Sequence, residues 1–446
     1  MVNITDMTKG RPMRLMINFA TPLLFANVLQ LMFTIADSAV VGRMLGVDAF
    51  ASVGATASAN WLALAAVIGL TQGFGTVFAQ RFGAGDTDGL RKAFTAAVYL
   101  TAAFGVLLGI GGAFGAAPML SLLGTPDQLM RGAVLYLSIL LGGIVITFAY
   151  NMLGATLRAL GDSVTPFKAM VIGMVLNIAL SIALCIPFGI AGVAAATLLS
   201  QTAACAYCVF TLRKTGLMKG CDKNLDIPSA RALLRLGLPL FFRNAVIEVG
   251  GLAVQWYVNR YGVEFVAGIA AAKRMYSLLL IIAGALETSV ATFAAQNFGA
   301  ENISRVKQGV VCGMRLMFGS SLVIMAITLI FGRFILGLLI TGDPGRLNAV
   351  LDVGTQQLTV MALGLPILSL LFLYRSALQG IGNTVIPMLS GFLELVSRIS
   401  SVIFITPLWG EWGVYLSDIS GWTAAALLLT VSYYYFARQL SLKTPE

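Results

Sequence analysis

The amino-acid sequence predicts an all-α membrane protein: twelve transmembrane helices in two parallel six-helix repeats around a central cleft. Three observations predict it. The 446 residues are 58% hydrophobic and only 11% charged, with a mean hydropathy of +0.88, whereas soluble domains carry roughly 25% charged residues. Apolar runs near twenty residues recur along the whole chain, each long enough to cross a hydrocarbon layer. The second half of the chain repeats motifs of the first, in order.

Taken from the amino terminus, the expected spans are 15–40, 51–73, 92–115, 132–156, 166–187 and 191–212. The second set is 232–258, 268–295, 309–332, 353–378, 386–407 and 413–437. The opening MVNITDMTKGRPMR is polar and does not read as a cleaved signal peptide. Twelve spans put both termini on one side. On that side fall eighteen Lys and Arg, six of them between 213 and 235, against Arg43, Arg131, Arg260, Arg333 and Arg346 on the other. Basic residues collect on cytoplasmic loops, so both termini are expected in the cytoplasm. The net charge of +10 is then a consequence of topology, and a nucleic-acid partner is not needed.

The longest polar interruption, RKTGLMKGCDKNLDIPSAR at 213–231, reads as a cytoplasmic linker. It separates an amino-terminal lobe (1–212) from a carboxyl-terminal lobe (232–446). GVDAFASVGA at 46–55 faces GVEFVAGIAA at 262–271, and AQRFGAG at 79–85 faces AQNFGAE at 295–301. LSLLGTPD at 120–127 faces LGLLITGD at 336–343, all at an offset of 216. LRALGDSVTP at 157–166 faces LQGIGNTVIP at 378–387 at an offset of 221, and GVAAAT at 192–197 faces GVYLSD at 413–418 at the same offset. Six spans per repeat is an even number, so the repeats run parallel, related by an axis along the membrane normal. Two such lobes suit alternating access.

Enzymatic readings find little support. The chain has no His, no large loop for a soluble domain, and no G-x-x-x-x-G-K-[ST] phosphate loop. Cys205 and Cys208 form a C-x-x-C inside an apolar run without further Cys or His nearby, which reads as helix packing rather than zinc or redox chemistry. No cofactor is expected.

The chemistry is expected in the charges within the spans, because ionisable groups there are costly. Five acids qualify: Asp37, Glu248, Glu287, Glu394 and Asp418. Asp37 closes a run from 15 to 36 that contains no charge. A carboxylate in apolar surroundings prefers its protonated form, and binding of a cation prefers the ionised one, so Asp37 is the candidate coupling group. Glu394 and Arg398 are four apart with Glu first, and read as a structural ion pair. Asp418 lies four residues before Trp422, an acid beside an aromatic face that suits a cation. Glu248, Glu287, Asp418 and Trp422 are therefore candidates to line the cleft.

The segments PLLFANVLQLMFTIADSAVVGRMLGVDAFASVGA, TVFAQRFGAGDTDGLRKAF and YNMLGATLRALGDSVTP resemble the MATE family, the multidrug and toxic compound extrusion transporters. So do their counterparts GLPLFFRNAVIEVGGLAVQ, TFAAQNFGAENISRVKQG and SALQGIGNTVIP, and the pattern is similar to the bacterial branch holding DinF-like and MepA-like proteins. The resemblance implies a V-shaped pair of lobes. It implies an inner-membrane antiporter that exports organic cations or amphipathic compounds against protons or sodium. One chain already supplies both lobes, so a monomer is the expected functional unit, with the oligomeric state left open by the residues. It also implies that Asp37 is the first-span acid, with Asn151, Asn177 and Thr197 as polar partners. Ser181 stands where some relatives carry a second acid. That leaves one carboxylate at the only candidate Na+ position, and weakens the case for tight sodium binding. Glu248 falls one residue late for a second-lobe sodium site, and the tenth span carries Arg375 and no acid. A lipid-linked precursor flippase of the wider superfamily is the alternative; it would need a strongly cationic cleft.

Overall fold

The computed structural model describes residues 4–219, 224–339 and 344–443. Cys221 and Lys223 of the linker, and the end of LGLLITGD, lie outside them. Helices make up nearly all of it. In the first half these are α1 (Pro12–Leu45), α2 (Val47–Ala55), α3 (Ala57–Gly83), α4 (Thr87–Leu122), α5 (Asp127–Gly142), α6 (Ile144–Ala159), α7 (Val164–Phe188) and α8 (Ile190–Lys214). The second half holds α9 (Ile227–Val258), α10 (Val263–Gly299), α11 (Ile303–Leu339), α12 (Pro344–Gly380) and α13 (Val385–Ser400). A π-helical turn (Ser401–Ile405) leads to α14 (Thr406–Trp409), α15 (Trp412–Tyr415) and α16 (Ser417–Lys443).

Eleven helical stretches of the described residues are long and apolar enough to cross a membrane, and the bent pair α5–α6 makes a twelfth. The fourth expected span is thus a broken helix, bent by 48° at Gly142 and Gly143. Glycine is among the poorest helix formers. At Gly143 the missing side chain leaves the corner to Leu198 of α8, whose methyl groups occupy the place a Cβ would take.

The chain divides into two compact units, Met1–Lys9 with Asn18–Phe241 and Gly10–Ile17 with Phe242–Glu446. The division cuts α1 and α9 rather than a loop. In the first unit α3 meets the early turns of α9 backbone to backbone: a Cβ on Gly69 would lie within 2.7 Å of Leu240 and Phe241. In the second unit Ser289 of α10 donates to the Met16 carbonyl at 3.0 Å, and Arg305 donates to the Gly10 carbonyl at 2.6 Å.

The internal repeat is visible in the turns. Gly161 and Gly382, 221 residues apart, both take positive φ (80° and 83°), a region open to glycine because it lacks Cβ. Each is followed by a side chain that caps the next helix. Asp162 accepts from the Val164 and Thr165 amides at 3.0 and 2.9 Å, and Asn383 accepts from the Ile386 amide at 3.2 Å. At the other offset, Gly85 and Glu301 share positive φ (69° and 57°). Asp86 then accepts from the Gly89 amide at 2.8 Å and Asn302 from the Arg305 amide at 3.0 Å. The apolar packing repeats as well. Val41, Val193 and Ala194 are buried together in one unit, and Val258, Val414 and Tyr415 in the other.

Candidate functional site

In the first unit Asp37 stands on α1, one turn before the buried Val41. Ser181 of α7, fully buried, donates its hydroxyl to Asp37 Oδ1 at 3.3 Å. Among the described residues no Lys or Arg forms an ion pair with Asp37. One turn earlier on α7, the fully buried Asn177 donates from Nδ2 to Thr197 Oγ1 of α8 at 3.3 Å. Thr197 Oγ1 in turn donates to the Val193 carbonyl at 3.2 Å. Among the described residues, none donates a hydrogen bond to Asn177 Oδ1. A buried amide oxygen without a donor is unfavourable, so this atom is available to a water, a proton carrier or a cation.

Asn151 stands apart from that group. Its amide turns onto its own helix, donating to the Thr147 carbonyl at 2.9 Å. Thr147 in turn donates Oγ1 to Gln201 Oε1 of α8 at 2.7 Å. Beside these groups is a cavity of about 70 Å³, lined by Asn60, Thr147, Thr197 and Gln201 together with Leu64, Leu140, Leu141 and Ile144. A space of this size with several polar groups meets the conditions for ordered water. Sequence reading missed Asn60, Thr147 and Gln201. Helical spacing carries the signal for two of them: Gln201 is one turn after Thr197, and Thr147 one turn before Asn151.

The second unit holds charge instead. Arg375 of α12 pairs with Glu394 of α13. Glu394 also faces Arg398 at 3.6 Å, and Arg398 Nε lies 3.3 Å from Asp418 Oδ1 of α16. The four side chains form a continuous chain across three helices, Arg375 and Glu394 buried and Arg398 and Asp418 half-buried. Arg243 of α9 is buried as well, donating to Asn244 Oδ1 at 2.9 and 3.0 Å and packing against Gly391 of α13. Trp422 is buried and stacks on Tyr276, with ring centroids 5.5 Å apart. Asp418 is thus engaged by a guanidinium and Trp422 by a second ring. Glu248 on α9 and Glu287 on α10 are half-buried, and the cations acting on Glu287 are Arg243 and Arg375. Cys205 and Cys208 are free thiols, and among the described residues no group of three or more His, Cys, Asp or Glu is placed to hold a metal ion.

Two repeated units of membrane-length helices, carrying ionisable and amide groups inside the spans, define a membrane transporter. The comparisons identify which kind. The family model MatE matches residues 22–183 and again 239–403, once per repeat. The chain is similar to the probable multidrug resistance protein YpnP of Bacillus subtilis strain 168, 30% identical over 84% of both chains. It is also similar to YoeA of the same strain, described likewise, 31% identical over 72% of both. Among solved structures it superposes on a MOP superfamily transporter from Pyrococcus furiosus with a TM-score of 0.89, at 20% identity, over 98% of this chain and 99% of that one. The chain belongs to the MatE family, whose members are transporters and not enzymes.

Proposed function

We propose that the protein is a secondary-active antiporter that exports organic cations or amphipathic drugs across the cytoplasmic membrane in exchange for protons, with sodium as the alternative ion. The observation that carries this reading is Asp37, an intramembrane carboxylate whose hydrogen-bond donor is a hydroxyl and not a guanidinium. Such an acid changes charge without first breaking an ion pair. Ionised, it attracts a cationic substrate; a returning proton neutralises it and releases the substrate. Ser181 and the Asn177–Thr197 pair are the polar groups that hold or pass the ion. With Ser181 in place of a second acid, the site has one carboxylate, which in this reading favours proton exchange over tight sodium binding.

Lobes 1–212 and 232–446, joined by the linker 213–231, are the moving parts of alternating access in this reading. Both termini are cytoplasmic and one chain is the functional unit. Glu248 and Glu287 are the acids proposed to meet substrate in the second lobe. The names of the Bacillus relatives support drug export. The flippase alternative is not favoured: the bases it would need are balanced by acids, Arg375 by Glu394 and Arg398 by Asp418.

The test is ethidium transport in energised inverted membrane vesicles, with a proton or a sodium gradient imposed separately. Wild type is expected to move the dye under the proton gradient, and Asp37→Asn to fall to background at normal membrane levels. Transport by Asp37→Asn at the wild-type rate would remove Asp37 from the mechanism.

A further inference from the structure

A second site lies in the carboxyl-terminal unit, and its lining includes none of the acids or amides described above. A groove of about 550 Å³ runs between α11 and α16, floored by α12. Three bases line it, Lys307 and Arg315 from α11 and Arg438 from α16, and no acid does. Its aromatic wall is Tyr374, Tyr433 and Tyr434, with ring centroids 5.1–5.9 Å apart and the hydroxyls of Tyr374 and Tyr434 3.3 Å from one another. Arg315 and Arg438 are exposed, and among the described residues neither has a carboxylate within ion-pair distance.

Arg315 is the unusual member. It stands eight residues after Lys307, which is about 12 Å further along the helix at the α-helical rise. It therefore lies inside the ninth expected span rather than at its end. An arginine on the outside of a membrane helix is unfavourable unless it snorkels to the polar interface, where an anionic head group can pair with it. Lys307, near the start of α11, and Arg438, near the end of α16, mark the polar end of the groove. Apolar residues of α11, Val310, Val311 and Met314, mark its body. Cationic head, tyrosine hydroxyls at the border and an apolar body match one chemistry: a phosphate esterified to a glycerol that carries acyl chains. The size is that of pockets that hold small ligands.

We propose that this groove binds an anionic phospholipid of the leaflet that faces the termini, its phosphate held by Arg315 and Arg438 and its glycerol region lying along the Tyr374–Tyr434 pair. Only the description of that leaflet as cytoplasmic rests on the orientation proposed above. Basic pockets between membrane helices on that side recognise anionic head groups.

Native mass spectrometry of the purified full-length chain tests this, with phosphatidylglycerol and phosphatidylcholine of identical acyl chains as probes. Wild type is expected to retain one phosphatidylglycerol in preference to phosphatidylcholine, on the order of tenfold. Arg315→Gln with Arg438→Gln should erase the preference, and Arg315→Lys with Arg438→Lys should keep most of it. An unchanged preference in the Gln pair, or none in wild type, overturns the proposal. Competition by inorganic phosphate or glycerophosphate at lipid-like concentrations would assign the site to free phosphate and overturn the lipid. A photoactivatable phosphatidylglycerol added to wild type requires no substitution. Its adducts should map to 307–315 and 433–438, and adducts confined to other segments overturn the proposal even if the Gln pair fails to fold.

Discussion

The two units place different chemistry at the same positions of one repeat. At an offset of 221, Asn177 of the first unit corresponds to Arg398 of the second, and Thr197 to Asp418. The helices bring both pairs together, Asn177 to Thr197 at 3.3 Å and Arg398 to Asp418 at 3.3 Å. The first is an amide on a hydroxyl and the second a guanidinium on a carboxylate. The acid of the first unit, Asp37, is one turn from Val41, and its counterpart beside Val258 is the apolar Val254. The same scaffold thus carries one acid without a base, and elsewhere a ladder of acids each with a base. A buried, paired carboxylate is held in one charge state by its neighbour, whereas an unpaired one is free to exchange. Under the function proposed above, the Asp37 group of the first unit is the exchanging site and the ladder of the second unit holds its helices together.

The largest effect should come from breaking the ladder. Glu394→Gln leaves Arg375 and Arg398 in a buried site without their shared acid. Breaking a buried pair from one side costs about 3–5 kcal/mol, visible as a large drop in thermal unfolding temperature in detergent. Replacing Arg375 and Glu394 together by Met and Leu should recover much of that loss, because no charge is then stranded at that contact. If the double replacement were as unstable as the single one, the ladder would not be acting through charge.

The first unit should respond in the opposite way. Asp37→Asn is close to isosteric and removes no ion pair, so its melting temperature should stay near wild type while proton-driven transport disappears. A smaller effect is expected at the cavity that Thr197 and Gln201 line. Gln201→Leu removes the acceptor of Thr147 at 2.7 Å and lines the cavity with one polar group fewer. A buried hydroxyl left without its partner costs about 1–3 kcal/mol. Transport rate should fall severalfold with its dependence on the proton gradient retained. If Gln201→Leu instead abolished coupling as Asp37→Asn is expected to do, the cavity would belong to the ion path itself.

The sequence carried the architecture because its rules are local. A membrane span needs only length and hydropathy, and the paired turns need only their own residues: Gly161 with Asp162, Gly382 with Asn383. Glu394 and Arg398 were legible together for the same reason, being one helical turn apart. Arg375 was not legible as the partner of Glu394, because they sit on different helices and meet only through packing. Asp418 and Trp422, also one turn apart, read as a joint acid-aromatic face. Their tertiary partners were not legible: Arg398 for Asp418 and Tyr276 for Trp422 come from other positions and meet them only through packing. The bend in the fourth span was hidden for a different reason: Gly142 and Gly143 permit a break, but Leu198 of α8 fills it.

The smallest effect sharpens the comparison at the loop ends, where a charged cap in one repeat faces a neutral one in the other. Asp86 and Asn302 occupy the same position, 216 residues apart, and each accepts a hydrogen bond from the amide three residues on. Replacing either by Ala should cost about 1 kcal/mol, the usual worth of such a cap. Only one of the two titrates. The Gly89 amide first, and then Arg81, hold the Asp86 carboxyl below the ordinary carboxylate range. A lowered folded-state value means the charged cap contributes fully above the unfolded value near ~3.9, and that contribution is lost as pH falls through the folded one. The destabilisation by Asp86→Ala should therefore be constant at neutral pH and shrink only in acid below about pH 4, whereas that of Asn302→Ala should not change with pH. Thermal unfolding of both variants and wild type across that range measures the difference directly. Asp86 is over a third exposed, so the acid-dependent part should be a fraction of the cap energy; equal pH dependence at both positions would show that the carboxylate charge adds nothing to the cap.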